Sequence, residues 1–414
     1  MKDSQRQLSA SPSDTAASGS PANASVRSAL PESRRTGHSE PQRLSASEVV
    51  ARWDDFKVIL DARSPGEFAI DHLPGAINTP VLNDREREHV GRINAEQGAF
   101  AAKRLGAALV ARNIGALIED RFAHEPRQWA PLVYCWRGGQ RSGSLATVLA
   151  RIGWPVQLIE GGYKAFRQAM LEDLNRRSAQ LNLVVIAGRT GTAKTQLLQC
   201  LHRRGAQVID LEALACHRGS VLGQWPAEQP AGDAQLPGGA DTLAITTPQP
   251  SQKRFESTLW AQIRGLDPSR PIFVESESRK IGQCQVPEAL ILAMRRSPMI
   301  QIEASLAART QFLVRDYAHL CQDDSPLIAQ LQRLIALHGR ERVEGWITLA
   351  REGAWPLVVE QLLIEHYDPA YDRSIARNFS QLHQARRIDL PGIDETTLNQ
   401  AASQILNDAK PPES

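Results

Sequence analysis

Leu132-Val133-Tyr134-Cys135-Trp136-Arg137-Gly138-Gly139-Gln140-Arg141-Ser142 is a short apolar run that delivers one cysteine into a glycine-rich loop ending in arginine. The run reads as a buried strand and Ser142 to Ile152 as a helix, so the loop is a strand-to-helix turn of an α/β fold. There the backbone N–H groups of Trp136, Arg137, Gly138, Gly139 and Gln140, the positive end of the helix and the Arg141 guanidinium can converge on one anion. Such surroundings favour a thiolate, which makes Cys135 a candidate nucleophile. The spacing from Cys135 to Arg141 leaves enough backbone to wrap a tetrahedral, phosphate-sized group, with glycine where φ must be free.

Working outward, Val58-Ile59-Leu60-Asp61 is a second buried-strand pattern leading into Ala62-Arg63-Ser64-Pro65-Gly66-Glu67-Phe68. Asp71-His72-Leu73-Pro74-Gly75-Ala76-Ile77-Asn78 then makes a turn and a strand. With the strand Val156 to Ile159 and the turn Glu160-Gly161-Gly162-Tyr163, these complete one α/β domain over about residues 43–172. Asp61 and Arg63 read as a hydrogen-bonding set that holds the cysteine loop, in preference to groups acting on substrate.

Asn182-Leu183-Val184-Val185-Ile186-Ala187 opens a second α/β domain, about residues 181–305, and runs directly into Gly188-Arg189-Thr190-Gly191-Thr192-Ala193-Lys194-Thr195. That stretch fits the phosphate-cradling pattern G-x-x-x-x-G-K-[ST], except that Ala193 replaces the glycine before Lys194. Gly188, Gly191, Thr192 and Ala193 would supply backbone, Lys194 would neutralise a terminal phosphate, and Thr195 could ligate magnesium. The Ala193 methyl is expected to crowd a bound phosphate, so phosphate binding survives better than ATP hydrolysis. Further strands are suggested at Ala206 to Leu211, Ile272 to Glu275 and Met299 to Glu303. Asp210 and Glu212 after the first of these read equally as magnesium carboxylates or as helix caps. Glu275 and Arg279, in Glu275-Ser276-Glu277-Ser278-Arg279, stand where open α/β sheets place ligands.

A Pro- and Gly-rich stretch from about Trp225 to Pro250 reads as a long mobile insertion. Residues 306–385 read as packed helices and residues 386–414 as a polar, frayed tail. The Ser-, Ala- and Pro-rich residues 1–42 read as a disordered extension, not a signal peptide.

The length of 414 residues suggests two or three domains, and no apolar run could span a bilayer, so no membrane partner is expected. Five cysteines without a C-x-x-C pair argue against a disulfide framework or a structural zinc site and favour a reducing cytoplasm. A net charge of +2 neither demands nor excludes an RNA partner. Arg176-Arg177, Arg203-Arg204 and Arg295-Arg296 are candidate phosphate contacts. Oligomeric state is left open.

The paired motifs around Asp61 and Asp71, with Cys135 in register with the nucleophile and Gly161-Gly162 as closing turn, resemble rhodanese domains. The longer loop is shared with dual-specificity phosphatases, so spacing alone leaves chalcogen transfer and phosphate ester hydrolysis both open. Tyr134, where those phosphatases place a histidine, and the lack of an obvious general-acid carboxylate after the loop favour transfer.

A rhodanese domain fused to a P-loop domain, together with Asp210-Leu211-Glu212, His217-Arg218-Gly219-Ser220, Gln252-Lys253-Arg254-Phe255-Glu256 and Glu275-Ser276-Glu277-Ser278-Arg279-Lys280-Ile281-Gly282, resembles the tRNA 2-selenouridine synthase family. The likeness spans roughly residues 45–375. It implies replacement of sulfur by selenium at the wobble 2-thiouridine of tRNA, with selenophosphate as donor. It also implies geranylation of that sulfur from geranyl diphosphate, giving the S-geranyl intermediate that selenium displaces. On that reading Cys135 carries selenium, Arg141 and the loop amides hold the phosphate, and Lys194 and Thr195 bind the diphosphate. The C-terminal helices would house the geranyl chain, and no tightly bound cofactor is expected beyond candidate magnesium. Two rivals are a P-loop kinase or ATPase with a rhodanese regulatory domain, for which Arg309 and Arg315 are the candidate phosphate-facing arginines, and a sulfur-relay, tRNA-binding adaptor.

Overall fold

Two parallel sheets, each with a glycine loop at the C-terminal end of a central strand, organise the chain. The computed structural model describes residues 40–217, 249–317 and 325–408. The N-terminal extension up to residue 39, the insertion before Gln249, and the Arg218-Gly219-Ser220 part of its run lie outside those residues.

The first sheet holds β1 (Gln42–Leu44), β2 (Ile59–Asp61), β3 (Ile77–Asn78), β4 (Leu132–Tyr134) and β5 (Gln157–Ile159) in the order β1-β5-β4-β2-β3. All neighbours are parallel, and β4 is flanked by β5 and β2 with Leu132, Val133 and Tyr134 fully buried. Strand order reverses between β2 and β4, so the loops after both strands open into the crevice where such sheets bind ligands. Two unforeseen helices, Asp84–Gln97 and Ala99–Leu117, form a hairpin beside this sheet, broken at Gly98, whose φ of +87° suits glycine.

The second sheet contains β6 (Leu183–Ala187), β7 (Gln207–Ile209) and β8 (Ile272–Glu275). After the short antiparallel hairpin β9 (Lys280–Ile281) and β10 (Cys284–Gln285) come β11 (Met299–Ala304) and β12 (Arg386–Leu390). The order is β12-β11-β6-β8-β7, again parallel, with β6 at the centre and the switch point. The four strands inferred from apolar runs are all present, within one or two residues.

The polar tail is a correction. Residues 386–390 pair in register with Ile300 to Ala304, burying Ile388 and Leu390 and turning Arg387 and Asp389 outward. The helix Glu395–Asp408 packs on the helix Lys194–Arg203 through Leu398, Ala401, Ala402 and Ile405. Their spacing at i, i+3, i+4 and i+7 makes one apolar face, half of it alanine. The P-loop sheet is therefore completed by the end of the chain, after the helices that interrupt it.

One apolar cluster runs through both halves. Trp53, Phe166 and Trp260 meet with ring centroids 5.0 to 5.7 Å apart, and Trp260 Nε1 donates to Asp173 at 2.9 Å. The described residues accordingly form one compact unit. Among the described residues no helix is long and apolar enough to cross a membrane.

Candidate functional site

Cys135 follows β4 directly and is 3% exposed. The Ser142 hydroxyl, one turn into the helix Gln140–Ile152, donates to its Sγ at 3.0 Å. A hydroxyl aimed at sulfur stabilises developing negative charge there, a role the sequence reading had not given Ser142.

The loop is held from behind by the second glycine turn. Cys135 and Trp136 carbonyls accept the Tyr163 and Lys164 N–H groups at 2.8 and 3.0 Å. Gly138 and Gly162 have φ of +64° and +59°, and a Cβ on Gly162 would lie 2.3 Å from Cys135 O. Only glycine allows this approach, so the Gly161-Gly162 turn shapes the cysteine loop. Gly139 precedes the helix and Gln140 opens it, both exposed, as is Arg137.

Arg141, expected to aim its guanidinium at the loop centre, is engaged by a carboxylate. Its Nη1 and Nη2 donate to the Glu67 carboxylate at 2.6 and 3.3 Å. Burial raises the Glu67 pKa, but the Arg141 hydrogen bond and charge outweigh it and leave the carboxyl below its ordinary value. Asp61 and Arg63 are a fully buried pair at 2.6 Å, with Tyr134 OH donating to Asp61 at 2.6 Å, the positioning role read from the sequence.

In the second site, Ala193 adopts the left-handed φ of +55° while 7% exposed. The methyl therefore costs backbone strain on a conformation made for glycine, in addition to any crowding of phosphate. Lys194 Nζ donates to Gly188 O at 2.9 Å, and Thr192 Oγ1 donates to Arg189 O at 2.9 Å. Gly188 lies so close to Thr192 Oγ1 that a Cβ would sit 2.5 Å from it, and one on Gly191 would meet Leu313 at 2.9 Å.

Thr195 Oγ1 donates to Glu212 and Glu275 at 3.0 and 3.3 Å. Glu212, Glu275 and Glu277 each place an oxygen within 4.8 Å of the others. Burial, with the neighbouring Glu277 charge, pushes Glu212 up to about 8, against the pull of Lys194 and Thr195. Glu275, wholly buried, is raised by burial and by Glu212, Asp210 and Glu277. This all-oxygen, mutually repelling set suits a hard divalent cation. Glu277, two residues after Glu275, joins this group although no motif in the sequence singles it out. Asp210 caps the helix Leu211–Leu214 through Ala213 N–H at 2.8 Å, and burial raises its pKa. Arg279 is not with this group: it is exposed and pairs with Glu288 at 3.0 Å.

The C-terminal helices grip the P-loop. Gly188 N–H donates to Tyr371 OH at 2.8 Å, and Arg189 pairs with Asp372 at 2.7 Å. Arg309, 4% exposed, donates to both Asp368 oxygens at 2.8 Å and to Thr190 O at 3.1 Å. Arg315 donates to Ile393 O at 2.7 Å. Neither arginine is thus a free phosphate ligand. The apolar faces of the helices between Leu327 and Leu362 are buried against one another around Trp346.

Contacts between the halves were not legible. Asp71 accepts from Tyr163 OH at 2.6 Å and from Ser257 Oγ at 3.1 Å, and Arg254 meets His72 Nε2 at 2.7 Å. The helix Gln252–Arg264 of the second half thereby docks on the first half's second motif, bringing Lys253 Nζ 5.7 Å from the Trp136 ring.

Residues 45–169 match the family model described as rhodanese-like domain, and residues 181–234 and 243–338 match that described as tRNA 2-selenouridine synthase AAA domain. The chain is 36% identical over 269 residues to a tRNA 2-selenouridine synthase of Nitrosomonas europaea, a match spanning 63% of each chain. With the protein of that name from Bdellovibrio bacteriovorus it shares 31% identity over 77% of its own length and 89% of the relative's. For the Alcanivorax borkumensis protein of that name the figures are 33%, 77% and 90%.

Proposed function

The chain belongs to the tRNA 2-selenouridine synthase family, and from that premise we propose that it replaces sulfur by selenium in wobble 2-thiouridine of tRNA, by way of an S-geranyl intermediate. The observation that carries this reading is the presence, in one compact unit, of two separate strand-to-helix glycine loops with different chemistry. One has a buried cysteine at its base; the other has a lysine, a threonine and three carboxylates.

The division of labour follows from those side chains. Cys135, with Ser142 donating to its sulfur, attacks the phosphorus of selenophosphate, so that an S–P bond forms as the P–Se bond breaks. The selenide released displaces geranylthiol from the base, and water then hydrolyses the S–P bond to free phosphate. The Cys135 loop amides, with Arg141 exchanging Glu67 for the incoming anion, hold the phosphate group of selenophosphate. Lys194 and the backbone around Gly188 hold the diphosphate of geranyl diphosphate and favour its departure as the thiouridine sulfur is alkylated. Alkylation turns a poor sulfur leaving group into a thiol, which explains why one chain carries both loops. Thr195, Glu212, Glu275 and Glu277 would hold magnesium, which supplies charge neutralisation of the diphosphate when bound. The chain works on cytoplasmic tRNA in this reading.

Mass analysis of tRNA nucleosides from cells expressing wild type, Cys135→Ser or Lys194→Ala tests it. Cys135→Ser should accumulate thio or geranylthio nucleoside, and Lys194→Ala should stop before geranylation. Unchanged nucleosides in both strains would refute the proposal.

A further inference from the structure

At the junction of the two halves a half-buried tryptophan stands next to the nucleophile. One face of Trp136 is stacked on Tyr163, with centroids 5.2 Å apart and planes 23° from parallel. Over its ring lies the Lys253 ammonium at 5.7 Å, brought in by the second half. Lys253 is set in place by Arg167, whose Nη1 donates to Lys253 O at 3.2 Å while its charge is met by Asp71 and Glu256. Arg137 adjoins Trp136 in the chain, and Lys164 is tied to it by its N–H on Trp136 O at 3.0 Å. Arg137, Lys164 and Lys253 are all exposed, and among the described residues none of the three makes an ion pair.

Of the basic pairs singled out from the sequence, Arg176-Arg177 is neutralised by the Asp173 carboxylate, and Arg204 and Arg295 are held by the neutral amides of Asn399 and Asn378. Uncommitted cations around an aromatic ring are the arrangement by which proteins hold an unpaired nucleic acid strand, the cations on phosphates and the ring under a base.

We infer that this junction receives an unpaired RNA strand, with one base stacked on Trp136 beside Cys135 and Lys253 moved from the ring to a strand phosphate. The inference rests on the proposed tRNA chemistry and adds to it a specificity surface built by both halves. It also gives the docking of the helix Gln252–Arg264 a consequence: the second half supplies a cation to the rim of the first half's cysteine loop.

The test measures binding of the full-length chain to a tRNA carrying 2-thiouridine in its anticodon, at several salt concentrations. The same tRNA with the anticodon paired to a complementary oligonucleotide is the control. Wild type should prefer the unpaired anticodon. Trp136→Leu should weaken that binding about tenfold, and Trp136→Phe should restore most of it, because stacking needs a ring and not only volume. Lys253→Ala should reduce the salt dependence by about one phosphate contact. Alkylation of Cys135 by iodoacetamide at the wild-type rate in the variants shows that the loop is intact. Equal binding by wild type and Trp136→Leu, or equal loss in Trp136→Leu and Trp136→Phe, overturns the inference while leaving the tRNA reading standing. Failure of wild type to bind the tRNA overturns both.

Discussion

Arg141 is tied to Glu67 by two hydrogen bonds, 2.6 and 3.3 Å, which join the helix after the cysteine loop to the helix Pro65–Ile70 after β2. The arginine of the C-x5-R pattern is therefore oriented by a carboxylate, and on the proposed reading an incoming anion would compete with Glu67 for it.

Glu67→Gln should lower stability by about 1 kcal/mol at pH 7, the scale of a partly exposed pair. Because the Glu67 pKa in the folded chain lies below its ordinary 4.5, its contribution is present above that value and is lost as pH falls through the lower folded one. Thermal melts of both proteins should diverge at pH 7 and converge toward pH 3. A gap independent of pH would show that the ionised pair is not its source.

Glu212 carries the opposite sign. Its pKa of about 8 in the folded chain lies above the ordinary 4.5, so the folded chain holds a proton that the unfolded chain has released between those values. Stability contributed by this group falls as pH rises from about 4.5 to 8. In chelator, Glu212→Gln should therefore raise the melting temperature more at pH 8 than at pH 5. Equal shifts at both pH values would contradict the assigned environment.

Ala193→Gly should be close to neutral for stability. It removes left-handed strain of roughly 1–2 kcal/mol. It also loses about 0.8 kcal/mol of methyl burial and about 0.4–1 kcal/mol through the freer unfolded chain. Ala193→Val should cost more than 2 kcal/mol, since a β-branched residue tolerates φ of +55° worst. Denaturant melts check both; a neutral valine would mean that the loop adopts another conformation.

Asp368→Ala leaves Arg309 buried without its carboxylate and should destabilise the chain by about 3–5 kcal/mol. Arg315→Ala, which removes one bond to a carbonyl, should cost about 1 kcal/mol. The comparison of the two in denaturant melts tests whether the C-terminal helices are part of the P-loop domain's fold.

Both glycine loops were legible because each follows a continuous apolar strand and precedes a helix, a local signal that needs no partner. The end of the chain was not read correctly, although Ile388 and Leu390 alternate with charges and Leu398 and Ile405 share a face with two alanines. Short strands and alanine-rich faces carry little hydrophobic contrast, and only the sheet edge at β11 shows what they cover. Glu67 and Asp368 escaped for a different reason. Their importance lies in an arginine 74 and 59 residues away in sequence, and separations of that size leave no periodic trace. The same holds for Lys253, whose place over Trp136 depends on how the two halves dock.

The division of labour between the two loops is tested most directly by giving the purified chain its two substrates separately. With tRNA already carrying S-geranyl-2-thiouridine and with selenophosphate, Lys194→Ala should form 2-selenouridine like wild type and Cys135→Ser should not. With 2-thiouridine tRNA and geranyl diphosphate alone, Cys135→Ser should geranylate like wild type and Lys194→Ala should not. Selenouridine formed by Cys135→Ser at the wild-type rate, or geranylation by Lys194→Ala at the wild-type rate, would contradict the assignment of one reaction to each loop.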